Sequence, residues 1–271
     1  MRRIERMPTP GSIAAGQTAT VNLPLGPTYH RLNIRMMAAA TGGTAANVPV
    51  ADWGNYIGEI RLMVNGDTRI EIDAADLVKM NQYYGQTLDA GVLPLFLSQP
   101  WMRTWQGEDN TAYGTAAGMA SFTLEMDLKD DKVIGKLEVY AVQSEPKPFG
   151  GHLRIQRFSQ QMGLQGVKEV SDLPLGAYNM LAMHLSTAAI DKVEILANNV
   201  KVIEMDKVIR NAHQKVIDRV PQTGMTHIDF LTERRLGEAL YMGLTDFRAK
   251  LEFTADNVNY KLYAVSMQGV A

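Results

Sequence analysis

The chain says nearly the same thing twice, and this duplication limits its fold more than any other feature. Leu23-Pro24-Leu25-Gly26 followed by Tyr29 returns as Leu173-Pro174-Leu175-Gly176 followed by Tyr178. The run from Val64 to Asp73, opening Asn65-Gly66 and closing Ile70-Glu71-Ile72-Asp73, returns loosely from Ala197 to Asp206. Phe96-Leu97-Ser98 answers to Phe230-Leu231-Thr232, and Val139-Tyr140-Ala141-Val142 to Leu262-Tyr263-Ala264-Val265. Four matches in one order make two tandem copies of a single unit. The first match is 150 residues apart and the last 123, so the first copy carries the longer loops, near Thr41–Tyr56 and Gln106–Gly118. Each copy is long enough to bury its own core. Such a duplication points toward a shell-building protein and away from a single-site enzyme.

The unit is rich in strands. Thr18-Ala19-Thr20-Val21-Asn22-Leu23 alternates apolar and polar residues before Pro24 and Gly26 stop it, and Val167–Leu173 ends the same way. Ile57–Ile72 reads as a hairpin turning at Asn65-Gly66, the pair that best tolerates two successive positive φ angles. Asn198-Asn199 takes that place in the second copy. One helix follows in each copy: Asp73 can cap Ala74–Tyr84, closed by Gly85, and Asp206 can cap Lys207 to about Ile217. Many short strands with one short inserted helix per copy predict an all-β protein of two tandem jelly-roll sandwiches, about eight strands each. The expected division is an N-terminal arm over 1–15, a first roll over 16–142, a Pro/Gly-rich linker over 143–160 and a second roll over 161–271.

Composition removes several classes of function. A formal net charge of −2 leaves no basic footprint for sequence-specific nucleic-acid binding, and zero cysteines leave no disulfide or thiolate chemistry. The sequence has no long apolar run of membrane-spanning length and no apolar stretch of a signal peptide at its start. Five scattered histidines lack metal-site spacing, and no nucleophile elbow or phosphate loop is present, so no catalytic residue is assigned. Acidic residues gather at Asp127, Asp130 and Asp131 and at Glu108 and Asp109; loop carboxylates of this kind can hold calcium, but a solvated hairpin tip is the better account of them.

Two sets of residues are candidates for contacts. Trp53, Trp101 and Trp105 fall in or beside the expanded loops of the first copy, either packing those loops or forming a subunit interface, where aromatics are enriched. Arg2, Arg3 and Arg6 lie in the expected arm, either as part of a free charged terminus or as a contact to anionic lipid.

Two tandem rolls in so short a chain resemble the double jelly-roll major capsid proteins of icosahedral viruses. Leu23-Pro24-Leu25-Gly26-Pro27-Thr28-Tyr29 with the strand ending near Arg35, and the later Asp172-Leu173-Pro174, resemble the corticovirus-type capsid protein of membrane-containing bacteriophages. The resemblance implies a non-enzymatic virion protein, assembled in the host cytoplasm, whose trimers present six similar lobes and tile the shell. It also implies an internal viral membrane near the N-terminal arm, with minor capsid or vertex proteins as further partners. Structural calcium is consistent with the family, with no ligands assigned. A spike or vertex protein of the same fold is a neighbouring reading. The alternative from another class is a carbohydrate-binding or carbohydrate-active protein of two jelly rolls, since fold alone does not fix function.

Overall fold

A computed structural model of the chain describes residues 1–39 and 45–269. The first copy contains β1 (Arg3–Arg6), β2 (Thr18–Asn22), β3 (Thr28–Ala38), β4 (Ala46–Asn47), helix α1 (Trp53–Tyr56), β5 (Ile57–Val64), β6 (Asp67–Asp73), helix α2 (Ala74–Tyr83), β7 (Val92–Phe96), helix α3 (Trp105–Asp109), β8 (Tyr113–Gly114), β9 (Phe122–Leu128) and β10 (Ile134–Ser144). The second contains β11 (His152–Met162), β12 (Gly166–Val170), β13 (Tyr178–Leu185), β14 (Ile190–Ala197), β15 (Val200–Met205), helix α4 (Lys207–Val216), β16 (Thr226–Asp229), β17 (Leu240–Tyr241), β18 (Phe247–Phe253) and β19 (Val258–Gln268).

Each copy is a jelly roll, as the sequence predicts. In the first, β1-β10-β3 with β7 faces β2-β9-β5-β6; in the second, β11-β19-β13-β16 faces β12-β18-β14-β15. The alternation that marks the strands sorts their faces. In β5, Ile57, Ile60, Leu62 and Val64 are buried, and the same core takes Leu124 and Met126 of β9 and Ile34 and Met36 of β3. The hairpin turns carry the predicted chemistry: Asn65 and Gly66 sit at φ 53° and 84°, Asn198 and Asn199 at 49° and 64°. The helices start one residue after the expected caps.

Both ends of the first roll differ from the expectation. Residues 1–15 are not an arm outside the core: Arg3–Arg6 pairs antiparallel with β10, and Met7 behind it is buried. The expected linker 143–160 is mostly strand, because β10 runs to Ser144 and β11 begins at His152. Only Glu145–Gly151 joins the two elements. The Pro/Gly density there marks a short connection, and the polar residues flanking it, Gln143 and His152, are buried. The loop near Thr41–Tyr56 falls partly outside the described residues, and its described end forms β4 and α1.

β1 and β11 also uncover a fifth repeat. Arg3-Ile4-Glu5-Arg6 pairs with Gln143 to Tyr140, and Arg154-Ile155-Gln156-Arg157 pairs with Ser266 to Tyr263 in the same register. They are one strand in two copies. The rolls join where β11 lies parallel beside β6, at Ile155 and Ile70, fusing two four-stranded sheets into one. The apolar core of the first roll runs on across this junction to Leu153, Ile155, Leu181, Tyr263 and Val265.

Candidate assembly interface

The resemblance implies a protein that works through its contacts, so the interface of interest begins where one roll meets the next. Three layers build the junction within the chain. At the sheet edge, Arg157 of β11 reaches across to Glu59 at 2.6 Å and Asp73 at 2.8 Å, and also to Glu71. Lys261 of β19 joins Asp73 as well. Burial works against the Arg157 charge, but these carboxylates outweigh it and raise its pKa above the ordinary guanidinium value.

Above the edge, α2 packs on the second roll. Tyr263 donates to Asp76 at 2.8 Å. Burial raises the pKa of the Asp76 carboxyl, and the Tyr263 hydrogen bond opposes this only in part.

The third layer sits at the end of α2. Tyr83 stacks on the His227 ring at 4.0 Å and contacts Asp229, while the Tyr84 hydroxyl lies 3.0 Å from His184 Nε2. Asp229 accepts from Arg219 Nε at 2.9 Å and from the Leu231 amide at 2.9 Å. Arg219 is fully buried, with its guanidinium over the Tyr84 ring at 4.9 Å. The His184 and His227 Nδ1 atoms are 2.7 Å apart, so one ring donates and the other accepts. Burial, with Arg219 adding, pushes His184 down to about 3; burial, then His184 itself, pushes His227 well below the ordinary range. Both rings are neutral at pH 7.

The candidate residues separate. Trp53 is 1% exposed in the first core, so it packs its loop and cannot face a partner. Trp101 stacks on Tyr84 at 4.0 Å and meets Phe96 edge-on, which places it at the junction between rolls of one chain. Trp105 opens α3 and is 75% exposed. Arg2 pairs with Asp109 at 2.6 Å, Arg3 with Glu5 at 3.6 Å, and Arg6 with Glu138 at 3.0 Å. Arg3 and Arg6 are therefore strand residues, Arg2 directly precedes the strand, and all three have carboxylate partners on the protein. Glu138 is buried among Lys136, Arg6 and Arg35, which outweigh its desolvation and lower its pKa.

The acidic candidates are also engaged. Asp127 accepts from Arg61 and Thr18, and Asp109 faces Arg2 and His30. Among the described residues, no group of three or more His, Asp or Glu is placed to hold a metal ion. No described helix is long and apolar enough to cross a membrane.

Family models match nearly the whole chain: the viral coat protein P2 N-terminal domain over residues 4–144 and its C-terminal domain over 152–270. The chain belongs to the viral coat protein P2 family. The models meet at the 145–151 connection found in the structure. The major capsid protein P2 of Pseudoalteromonas phage PM2 is 23% identical over 259 residues, covering 90% of this chain and 89% of its own. Its crystal structure superposes with a TM-score of 0.89 at 21% identity, covering 100% of this chain and 98% of that one. The MCP of Sulfolobus Turreted Icosahedral Virus follows at 0.71 and 11%, covering 98% and 96%. This P2-family chain is a structural capsid protein of the virion, self-associating and not an enzyme, and the two-roll carbohydrate reading is set aside.

The sequence comparison missed β1, β11 and the buried Tyr83, Tyr84, His184 and His227 cluster. The Arg-Ile-x-Arg repeat was the available signal for the strands. For the cluster there was none, because its members come from distant segments and match no spacing rule.

Proposed function

We propose that the chain is the major capsid protein of a tailless icosahedral virus with an internal membrane, working as a trimer of pseudo-hexagonal outline. One observation carries this reading: the two rolls of a chain already sit edge to edge through a β6–β11 junction, so three chains repeating that step supply six similar lobes. Closed rotational symmetry is the usual form of soluble homo-oligomers. Such blocks pack against their copies into a flat facet of the virion shell, assembled in the host cytoplasm. Exposed Trp105 belongs to the contacts between copies, and Arg3 and Arg6, with Arg2 just before them, sit at the sheet edge that a neighbour reaches. Membrane lipids, minor capsid proteins and vertex proteins are partners of the assembled shell.

Light scattering coupled to size exclusion tests the trimer. A mass near three times the 30.0 kDa chain is expected. A monomer that persists across concentrations refutes the reading.

A further inference from the structure

The repeat reveals more than the fold, because it lets one interface be read from another. Elements that are covered in the first copy have counterparts in the second that lie open. β15 matches β6 in register: Leu62 opposite Ile70 in the first hairpin becomes Ile195 opposite Ile203 in the second. Yet β6 is flanked by β11, while β15 is the free edge of its sheet. Tyr83 of α2 is fully buried against the second roll, whereas Val216, its counterpart on α4, is 79% exposed. Asp76 is buried under Tyr263, and its counterpart Ile209 is exposed. α4 is inverted for a helix standing alone: Arg210 and Gln214 are buried, while Val208, Ile209 and Val216 face outward. The other half of the junction is open as well. Ile155 of β11 is 4% exposed, and its counterpart Ile4 of β1 is 69% exposed at a sheet edge.

We infer that the β15–α4 face of one copy binds the β1 edge of a second copy, repeating between chains the β6–α2 to β11 junction seen within one. This rests on the trimer reading and adds its contact residues. Ile4 of the second copy lies beside Ile203, as Ile155 lies beside Ile70. Arg6 meets Glu204 and Asp206, the counterparts of Glu71 and Asp73 that hold Arg157. Ile209 packs where Asp76 packs in the first copy, against the counterpart of Tyr263, which is Tyr140. Arg6, Glu204 and Asp206 keep the signs of Arg157, Glu71 and Asp73, whereas Glu59 and Lys261 are replaced by Lys192 and Glu138.

The absence of cysteine from the chain gives a clean test. Neighbouring strands lie about 4.8 Å apart, within the roughly 4.4–6.8 Å Cα span of a disulfide. The full-length Ile4→Cys/Ile203→Cys variant is oxidised and run on a non-reducing denaturing gel, alongside each single variant. Covalent trimer from the double variant, with none from either single variant, is expected. Val216→Asp changes an exposed side chain, so the fold should survive, and its solution mass should fall from trimer to monomer. A wild-type trimer that does not cross-link through this pair and keeps its mass in Val216→Asp overturns the assignment alone. A wild-type monomer overturns the trimer reading, and the assignment with it.

Discussion

Asp229→Asn is the sharpest probe of the junction between the two rolls. Arg219 is fully buried and has one partnered nitrogen, Nε, which donates to Asp229; both of its terminal nitrogens lack hydrogen-bond partners. Neutralising Asp229 strands a buried guanidinium, and removing one partner of such a pair costs about 3–5 kcal/mol. The asparagine Oδ1 can still accept from the Leu231 amide, but its Nδ2 replaces the oxygen that accepts from Arg219 Nε and Tyr83, so Arg219 loses its partner as well as the opposing charge. At about 2 °C per kcal/mol for a chain of this size, Tm should fall by roughly 6–10 °C. Arg219→Met alone should cost a similar amount by leaving Asp229 as an unpaired buried carboxylate. The double variant should lose less than either single change, since neither buried charge then remains. The assay is urea unfolding at fixed protein concentration, because assembly shifts apparent stability. Tryptophan fluorescence is a local reporter, since Trp101 stacks on Tyr84 beside the pair. A coupling energy below about 0.5 kcal/mol would refute the claim that this buried pair stabilises the second-roll side of the junction.

Acid should weaken the fold in a window set by the buried histidines. Burial holds His152 at about 4 and His184 at about 3, whereas unfolded histidine titrates near 6.5. The unfolded chain therefore binds protons that the native rings refuse. Stability is full above about pH 6.5 and falls as pH drops toward the folded values. His152→Gln should flatten the slope between pH 6.5 and 4 by close to one proton, about 1.4 kcal/mol per pH unit; an unchanged slope in urea titrations counts against the argument. Trp53→Ala should cost about 3–5 kcal/mol by emptying a core site. Trp105→Ala should leave monomer stability within about 0.5 kcal/mol while weakening assembly. Equal effects of the two changes on melting and on solution mass would contradict their placement. Asn65→Ala forces alanine to φ 53° and removes the acceptor for the Ala120 and Ser121 amides, a loss of about 1–2 kcal/mol measurable by thermal melting.

The strands that alternate were legible because one face of each is core and the other solvent. Asn65-Gly66 and Asn198-Asn199 located their hairpins for the same local reason, since few residues accept positive φ. β1 and β11 were not legible from alternation, only from the Arg-Ile-x-Arg repeat. Arg3-Ile4-Glu5-Arg6 has one apolar residue, and that residue is exposed, so its pairing with β10 leaves no burial pattern. β11 pairs with β19 along its whole length, and its burial shows no clean period after Ile155. The helix faces also failed to match, and the structure gives the reason. Leu77 and Val78 of α2 are covered by the body of the protein, whereas their counterparts Arg210 and Asn211 lie on a helix whose apolar residues point outward. The sequence period of α4 is sound, but its apolar side faces away from its own roll.

Divergence between the copies then has a physical purpose. A ring of six identical rolls could close with any roll beside any other, and a chain carrying two identical rolls would have no preferred register. The junction within the chain uses buried polar groups: Asp76 with Tyr263, Tyr83 with Asp229, and Tyr84 with His184. Such groups stabilise only when every partner is present, and a covalent connection guarantees that. The proposed junction between chains replaces Asp76 with Ile209 and Tyr83 with Val216, giving apolar surface that can be exposed before assembly without a stranded charge.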